Sequence, residues 1–572
     1  MKKRAYVWIL VLFFVFLIAA AGVSLLFLSF ERAPDVPSAA YLRLDLAGAV
    51  VDFPETGFWS SFLPGGRPLS IHDVWMGLRK AAADSRIRGV FVKIGMLECD
   101  WAKCAEIRDA LIAFRRSGKK AVAFIEELPE GDKEYFLATG CDRIVIHPLG
   151  WLGINGLGGY VPFFKKTLDK LGIRAEFEHI EEFKTAYNQF TESGFTSAHR
   201  EMTASLLQSR FEDYVAAVAA ARDKSPEEVR ALIDRAFFQG EQAKEAGLVD
   251  EVLYEDQAVA PWTGDGRPAR PVPLSAYSRI DAASLGLNKG RRIALIYGQG
   301  TILSGPGYIQ TMGSDTVAEW FRAVREDASI LAVVFRIDSP GGSAVASDTI
   351  WREVELTRKK KPVVVSMSDL AGSGGYWIAM SADRIIAHPQ TLTGSIGVIS
   401  GKFDLSGLMD KIGVTTEKIA IGKQSDIFTP FRPMSPAERD LFKKQIRWIY
   451  DRFIAQAAEG RKMKPEDVDQ IGRGRVWTGR QALEIGLVDE LGGLPQAVEA
   501  AKSLAGIEAG EDVRLVVWPK RTSFFASLFG RAEAEAVRVR DGLLPREVKN
   551  ALERALRLNK ERVWALMPFL PE

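Results

Sequence analysis

The sequence predicts an α/β protein in which one domain occurs twice in tandem, each copy built on a parallel sheet covered by helices. Three observations predict this. One long unit is repeated: CDRIVIHP (141–148) returns as ADRIIAHP (382–389), and QAKEAGLVDEV (242–252) returns as QALEIGLVDEL (481–491). Repeats this long are duplicated domains rather than solenoid units, whose periods run at about 20–50 residues. Within each copy, apolar runs of strand length alternate with amphipathic runs of helix length, the pattern of βαβ crossovers. Ahead of both copies stands a long uncharged segment behind three positive residues.

That first segment, 1–30, reads as a transmembrane anchor. Lys2, Lys3 and Arg4 precede an uncharged run over 5–30. As a helix this run spans about 39 Å, enough to cross a bilayer with some tilt. A cleaved signal peptide has an apolar region of only about 7–15 residues, although Ala19-Ala20-Ala21-Gly22 offers small residues of the kind a signal peptidase uses. The positive cluster places the N-terminus in the cytoplasm and all that follows outside it. After a short spacer, the first copy (41–255) opens on the strand-like YLRLDLAGAVV. It continues with a helix (71–84), a strand (87–94), a second helix (105–118) and a strand (120–126). The segment 256–290, with four prolines in its first half, reads as a linker with little core of its own. The second copy (291–500) repeats the order with IALIYGQGTI, DTVAEWFRAVRED, ILAVVFRI, SDTIWREVELTRKK and PVVVSMS. A C-terminal extension (510–572) carries a strand-like VRLVVWP, the aromatic patch FFASLF and a basic amphipathic helix over 545–567. That helix suits a membrane surface, a neighbouring subunit or its own domain. The runs FFKKTLDKLG (163–172) and FDLSGLMDKIG (403–413) read as helix core in both copies.

Composition narrows the function. A length of 572 residues, 47% apolar and 26% charged, is that of an ordinary multidomain globular chain. A net charge of +2 without a basic cluster beyond the N-terminus argues against a nucleic-acid partner. Cys99, Cys104 and Cys141 make neither a disulfide framework nor a zinc site. Cys99 and Cys104 could pair in an oxidising compartment or remain buried thiols. No metal-ligand cluster and no cofactor motif is expected. GINGLGGY (153–160) departs from the dinucleotide fingerprint and aligns with TGSIGV (393–398), so it reads as scaffold.

The duplication serves as an internal comparison, because positions that differ between the copies are candidates for chemistry. In SDLAGSGGYWIA (368–379), Ser373 sits between glycines just after a strand and before a helix. Such a turn exposes a side chain and leaves backbone N–H groups for an oxyanion. The first copy has Asp132 there. RIDSPGGSAVAS (336–347) ends another strand, and Gly341-Gly342 lets a backbone N–H approach a reacting carbonyl. The first copy has KIGMLECDWAKC, with Glu98 and Cys99 near the two glycines. His388 has its twin His147 in the same DRI-x-x-HP segment, so both read as structural. Lysine is the other common base once burial lowers its pKa. Lys184 of IEEFKTAYNQF aligns with Ser425 of IGKQSDIFTPF and stands in the copy that lacks the serine.

Together DSPGGS, DLAGSGGYWIA, TGSIGV and EEFKTAYNQF resemble the signal peptide peptidase A family in its long, membrane-anchored, two-repeat form. The resemblance runs from the anchor through about residue 500. It implies a Clp protease/crotonase-like fold of ββα repeats and a serine peptidase with a Ser–Lys dyad split between the copies. By that likeness Ser373 is the nucleophile, Lys184 the general base and Ser395 the residue that orients the lysine. The N–H groups of Gly342 and Gly374 form the oxyanion hole, with no metal and no cofactor. Glu181 and Glu182 lie close in sequence to Lys184 and would raise its pKa, with Glu182 on the same face if the segment is a strand. Lys423 is therefore the alternative base. The implied setting is the bacterial inner membrane with the catalytic part periplasmic, the substrates are remnant signal peptides and other peptides near the bilayer, and the assembly is a homotetramer. Two rival readings are a crotonase-type acyl-CoA enzyme, disfavoured by an extracytoplasmic location, and a catalytically inactive scaffold.

Overall fold

A computed structural model of the chain describes residues 35–53, 68–262, 269–307, 311–520 and 564–567. The expected anchor and the FFASLF patch lie outside the described residues. Among the described residues no helix is long and apolar enough to cross a membrane.

The repeated β-α-β pattern forms two parallel sheets of matching order. In the first, Ala40–Val51 lies beside Ile87–Glu98, then Lys120–Ile125, Arg143–Ile146 and Glu251–Val252, all in parallel. In the second, Arg291–Gln299 lies beside Ile330–Ser339, then Val363–Gly372 and Arg384–Ala387. The continuous apolar runs have the cause expected of parallel strands: both faces are covered, so Val333, Val334, Val364 and Val365 are all fully buried. Helices return the chain between strands. Ala344–Arg358 starts where Ser343 turns its Oγ to accept from the Ala346 N–H, and Trp101–Arg115 starts at Asp100, whose carboxylate accepts from the Trp101 N–H.

Three expectations are corrected. The proline-rich segment is more than a spacer. Its Arg270–Pro273 strand pairs in parallel with Ala40–Arg43, and Val272, Leu274, Tyr277 and Ile280 join the first core. Proline is tolerated there because the strand forms the sheet edge. The helices Lys165–Leu171 and Ser406–Lys411 bury no residue. Lys165–Leu171 lies beside the Arg174–His179 strand, and the two helices meet each other where the copies join, with Gly172 against the backbone of Gly407. Finally, the end of the expected C-terminal helix is extended: Trp564–Leu566 is a strand.

That strand belongs to a third, smaller sheet that joins the copies. Arg174–His179 of the first copy runs antiparallel to Ile399–Asp404 of the second over six residue pairs, His179 facing Ile399 and Arg174 facing Asp404. Trp564–Leu566 bridges from Ile399 to Gly341–Ser343, which lies beside Thr301–Leu303. In the second main sheet, Val513–Trp518 adds a parallel edge strand on Arg291–Ile296, as Arg270–Pro273 does in the first.

Candidate active site

Ser373 ends the Val363–Gly372 strand and precedes the short helix Gly374–Trp377. Its backbone is held at φ 55°, ψ −113°, a region that non-glycine residues avoid. Neighbouring strands hold it there: the Ser373 N–H donates to the Gly394 carbonyl at 2.8 Å, and Thr393 Oγ1 donates to the Ala371 carbonyl at 2.8 Å. The strained turn brings Gly374 against the other glycine loop. A Cβ added to Gly374 would lie 3.0 Å from the Gly342 nitrogen and 2.5 Å from Ser347 Oγ. Gly341, at φ 96°, makes the turn that lets this loop pass so close.

Lys184 arrives from the other copy. It follows the Arg174–His179 strand, whose pairing with Ile399–Asp404 carries the next turn over the second copy. Lys184 Nζ lies 2.7 Å from Ser373 Oγ and 3.0 Å from both the carbonyl and the hydroxyl oxygen of Ser395. Ser373, Lys184 and Ser395 are all 0% exposed. Among the described residues no carboxylate bears on it, and burial pushes the Lys184 ammonium well below its ordinary pKa. Ser395 is held at φ 51°, with its N–H on the Arg475 carbonyl at 2.7 Å.

The neighbouring glutamates do not act on this lysine. The segment is a turn rather than a strand, with Glu181 at φ 63°. The Glu181 carboxylate is taken by Arg447 at 2.9 Å and that of Glu182 by Arg473 at 3.3 Å, both at the surface. Lys423 and Ser425 are exposed on an outer segment. His388 faces Asp109 at 3.3 Å, and His147 Nδ1 accepts from the Leu149 N–H. Cys99 and Cys104 are free thiols, their sulfurs 3.6 Å apart.

The first copy differs at the corresponding turn. Asp132, at the position of Ser373, is buried and accepts from the N–H groups of Asn155 and Gly156 at 3.1 Å. These belong to the GINGLGGY segment, the counterpart of TGSIGV. Burial pushes the Asp132 carboxyl up to about 6. A carboxylate that accepts two backbone N–H bonds ties this turn to its neighbour.

Two glycines that sequence reasoning passed over shape the lysine's seat. A Cβ on Gly474, which sits at φ 82°, would fall 2.5 Å from the Lys184 nitrogen, and one on Gly397 would fall 2.9 Å from Lys184 Cδ. Gly474 lies in GRGRVW, with no counterpart motif to mark it. The other omission is the C-terminal strand. Trp564–Leu566 lies antiparallel on Gly341–Ser343, Ala565 opposite Gly342, and the Met567 N–H donates to the Pro340 carbonyl at 2.8 Å. Met567 packs on a cluster of Met202, Leu206, Leu392 and Val476.

A buried serine on a strained turn, beside a desolvated amine and close-packed glycine backbone in a parallel α/β fold, defines the class of serine hydrolases. Relatives narrow the class. The model of peptidase family S49 matches residues 113–263 and 355–508. The serine protease SPPA, chloroplastic, of Arabidopsis thaliana is 35% identical over 84% of this chain and 71% of that protein. Protease 4 of Salmonella typhi is 32% identical over 87% and 84%, and Protease 4 of Haemophilus influenzae is 29% identical over 83% and 80%. The chain belongs to peptidase family S49 and is a serine peptidase of the SppA type with two repeats.

Proposed function

We propose that this chain is a membrane-anchored signal peptide peptidase with one Ser373–Lys184 dyad assembled from both copies. The observation that carries the reading is the 2.7 Å approach of Lys184 Nζ to Ser373 Oγ, both fully buried and supplied by different copies. A neutral amine has two N–H donors and one lone pair. Directing the donors at the Ser395 carbonyl and hydroxyl leaves the lone pair for the Ser373 O–H. Lys184 then takes the serine proton as Oγ attacks the scissile carbonyl, and returns it to the leaving amine. The Gly342 and Gly374 N–H groups receive the oxyanion, an interaction worth about 3–4 kcal/mol per donor in comparable sites. Water deacylates the enzyme with the same lysine as base.

Substrate enters as an extended strand on Gly341–Ser343, a mode supported by the chain's own C-terminal strand in that register. The two main sheets form tandem Clp protease/crotonase-like domains, the first extending through its Arg270–Pro273 edge strand and the second opening at Arg291 and extending through its Val513–Trp518 edge strand. The segment 1–30 anchors the chain in the inner membrane with the site on the extracytoplasmic side. That placement suits remnant signal peptides, whose apolar stretches partition to the bilayer. The family resemblance implies a homotetramer, and the exposed Ile419 and Ile421 are apolar positions available to such a contact. A fluorophosphonate probe tests the dyad: labelling of the assembled wild type and none of Ser373→Ala is expected. Equal labelling of both proteins would sink the assignment.

A further inference from the structure

The first copy lost its own oxyanion loop, and the segment that replaced it, KIGMLECDWAKC (93–104), meets the second copy directly behind the catalytic turns. Lys103 lies in the first turn of the Trp101–Arg115 helix and is 5% exposed. Its Nζ donates to Asp338 at 2.6 Å and to Asp369 at 3.0 Å. Asp338 stands four residues before Gly342 on one strand, and Asp369 stands four residues before Ser373 on the next. The two carboxylates are tied in further. Asp369 accepts from the backbone N–H groups of Lys103 and Asp100 at 2.8 and 3.0 Å, and Asp338 accepts from the Leu370 N–H at 3.2 Å. Asp100 is itself clamped by Arg210 at 3.0 and 2.5 Å. The strand register slips at this point, between Ile337 and Ser339, so the ladder does not by itself hold the two strand ends together.

We propose that Lys103 is a positioning residue for the peptidase reaction, a brace from the first copy that sets the Gly342 loop and the Ser373 turn at the spacing the tetrahedral intermediate needs. The inference rests on the dyad reading above. An oxyanion hole acts only if its donors stay within hydrogen-bond distance of the developing charge, and a displacement of about 1 Å costs on the order of 100-fold in rate. The carboxylates need a cation for the same reason that they can use one: Asp369 is buried and Asp338 largely so, and without Lys103 they face each other across the two strand ends. Burial raises the Asp338 carboxyl. Asp369 is held down against the same burial by the Lys103 ammonium and the two backbone donors. The first copy therefore contributes two lysines to one site: Lys184 at the reacting atom and Lys103 behind it.

The test is steady-state cleavage of an apolar fluorogenic peptide by full-length, detergent-solubilised protein. It compares wild type, Lys103→Met and the charge-neutral triple variant Lys103→Met/Asp338→Asn/Asp369→Asn. The triple variant leaves no unpaired buried charge, and so keeps the test alive where the single variant fails to fold. The expected result in whichever variant folds is a kcat lowered about 100-fold with KM within about threefold of wild type, because ground-state binding along Gly341–Ser343 survives while transition-state geometry is lost. A folded variant with wild-type kcat, or one whose loss lies wholly in KM, overturns the brace. Ser373→Ala in the same assay separates the two ideas. If it turns over normally, the dyad reading falls and the brace with it; if it is inert while Lys103→Met turns over normally, only the brace falls.

Discussion

Lys184 illustrates how a residue's environment changes its chemistry. In water its amine would hold a proton at neutral pH and could accept none from serine. Enclosed among Ser373, Ser395 and the backbone of Gly474, it loses hydration without gaining a carboxylate, and its pKa falls. The same burial costs stability. The unfolded chain keeps this proton up to the ordinary value of 10.5, whereas the folded chain releases it at lower pH. Between those two pH values the unfolded state holds one proton more, so stability gained from this group rises with pH until the difference vanishes near 10.5. Lys184→Met is therefore expected to lose about 10⁴-fold or more in peptide cleavage. It is also expected to melt higher than wild type at pH 7, with the gap closing toward pH 10.5. A melting-temperature gap that stays constant across that range would show an amine of ordinary pKa. With Lys184 as the proposed base, kcat/KM is expected to rise with pH through the lowered lysine pKa, as the neutral amine accumulates.

At the scale of elements, three short strands matter more than the large sheets. Arg174–His179 carries Lys184 across to the second copy, Gly341–Ser343 holds the proposed oxyanion donor Gly342, and Trp564–Leu566 occupies the register beside it. The proposed substrate strand uses the same backbone edge that the C-terminal strand fills. A chain ending at residue 563 is therefore expected to show a KM several-fold lower than the full chain toward an apolar peptide, with kcat little changed. Identical KM values would mean that the strand does not compete with substrate. The main strands were legible because parallel β-α-β units announce themselves by apolar runs between amphipathic helices. The C-terminal strand was not, since its residues follow a helical pattern and are extended only because Gly341–Ser343 and Ile399 offer an edge to pair with. The surface helices Lys165–Leu171 and Ser406–Lys411 failed for a related reason: their apolar spacing suits a core, but they lie at the seam between copies.

At the scale of the whole molecule, the proposed active site draws on both sheets. Ionic contacts buried in the seam reinforce this. Arg336, fully buried in the second copy, pairs with Asp52 at 2.7 Å and Glu106 at 2.6 Å in the first, while Lys103 pairs with Asp338 and Asp369 in the other direction. Either half alone would strand buried charges, a cost of several kcal/mol for each unpaired group. Splitting the chain within 286–290, beyond the Arg270–Pro273 strand that belongs to the first sheet, is expected to yield two halves that neither cleave peptide nor label with fluorophosphonate when made separately. Cleavage should return when the halves are produced together. Activity in the isolated second half would show that its serine needs nothing from the first.

The sequence alone determined the duplicated parallel α/β architecture and the peptidase family, because hydrophobic periodicity and glycine-flanked motifs are local properties written in consecutive residues. It also singled out Ser373 and Lys184, through the comparison of one copy with the other and the resemblance of their motifs. Only the tertiary structure decided that these two side chains, 189 residues apart, meet at 2.7 Å, and that Lys103 binds Asp338 and Asp369 behind the Gly342 loop and the Ser373 turn. Such contacts depend on where the Arg174–His179 strand finds its partner and how the two sheets face each other. Those are non-local pairings, and no window of consecutive residues encodes them.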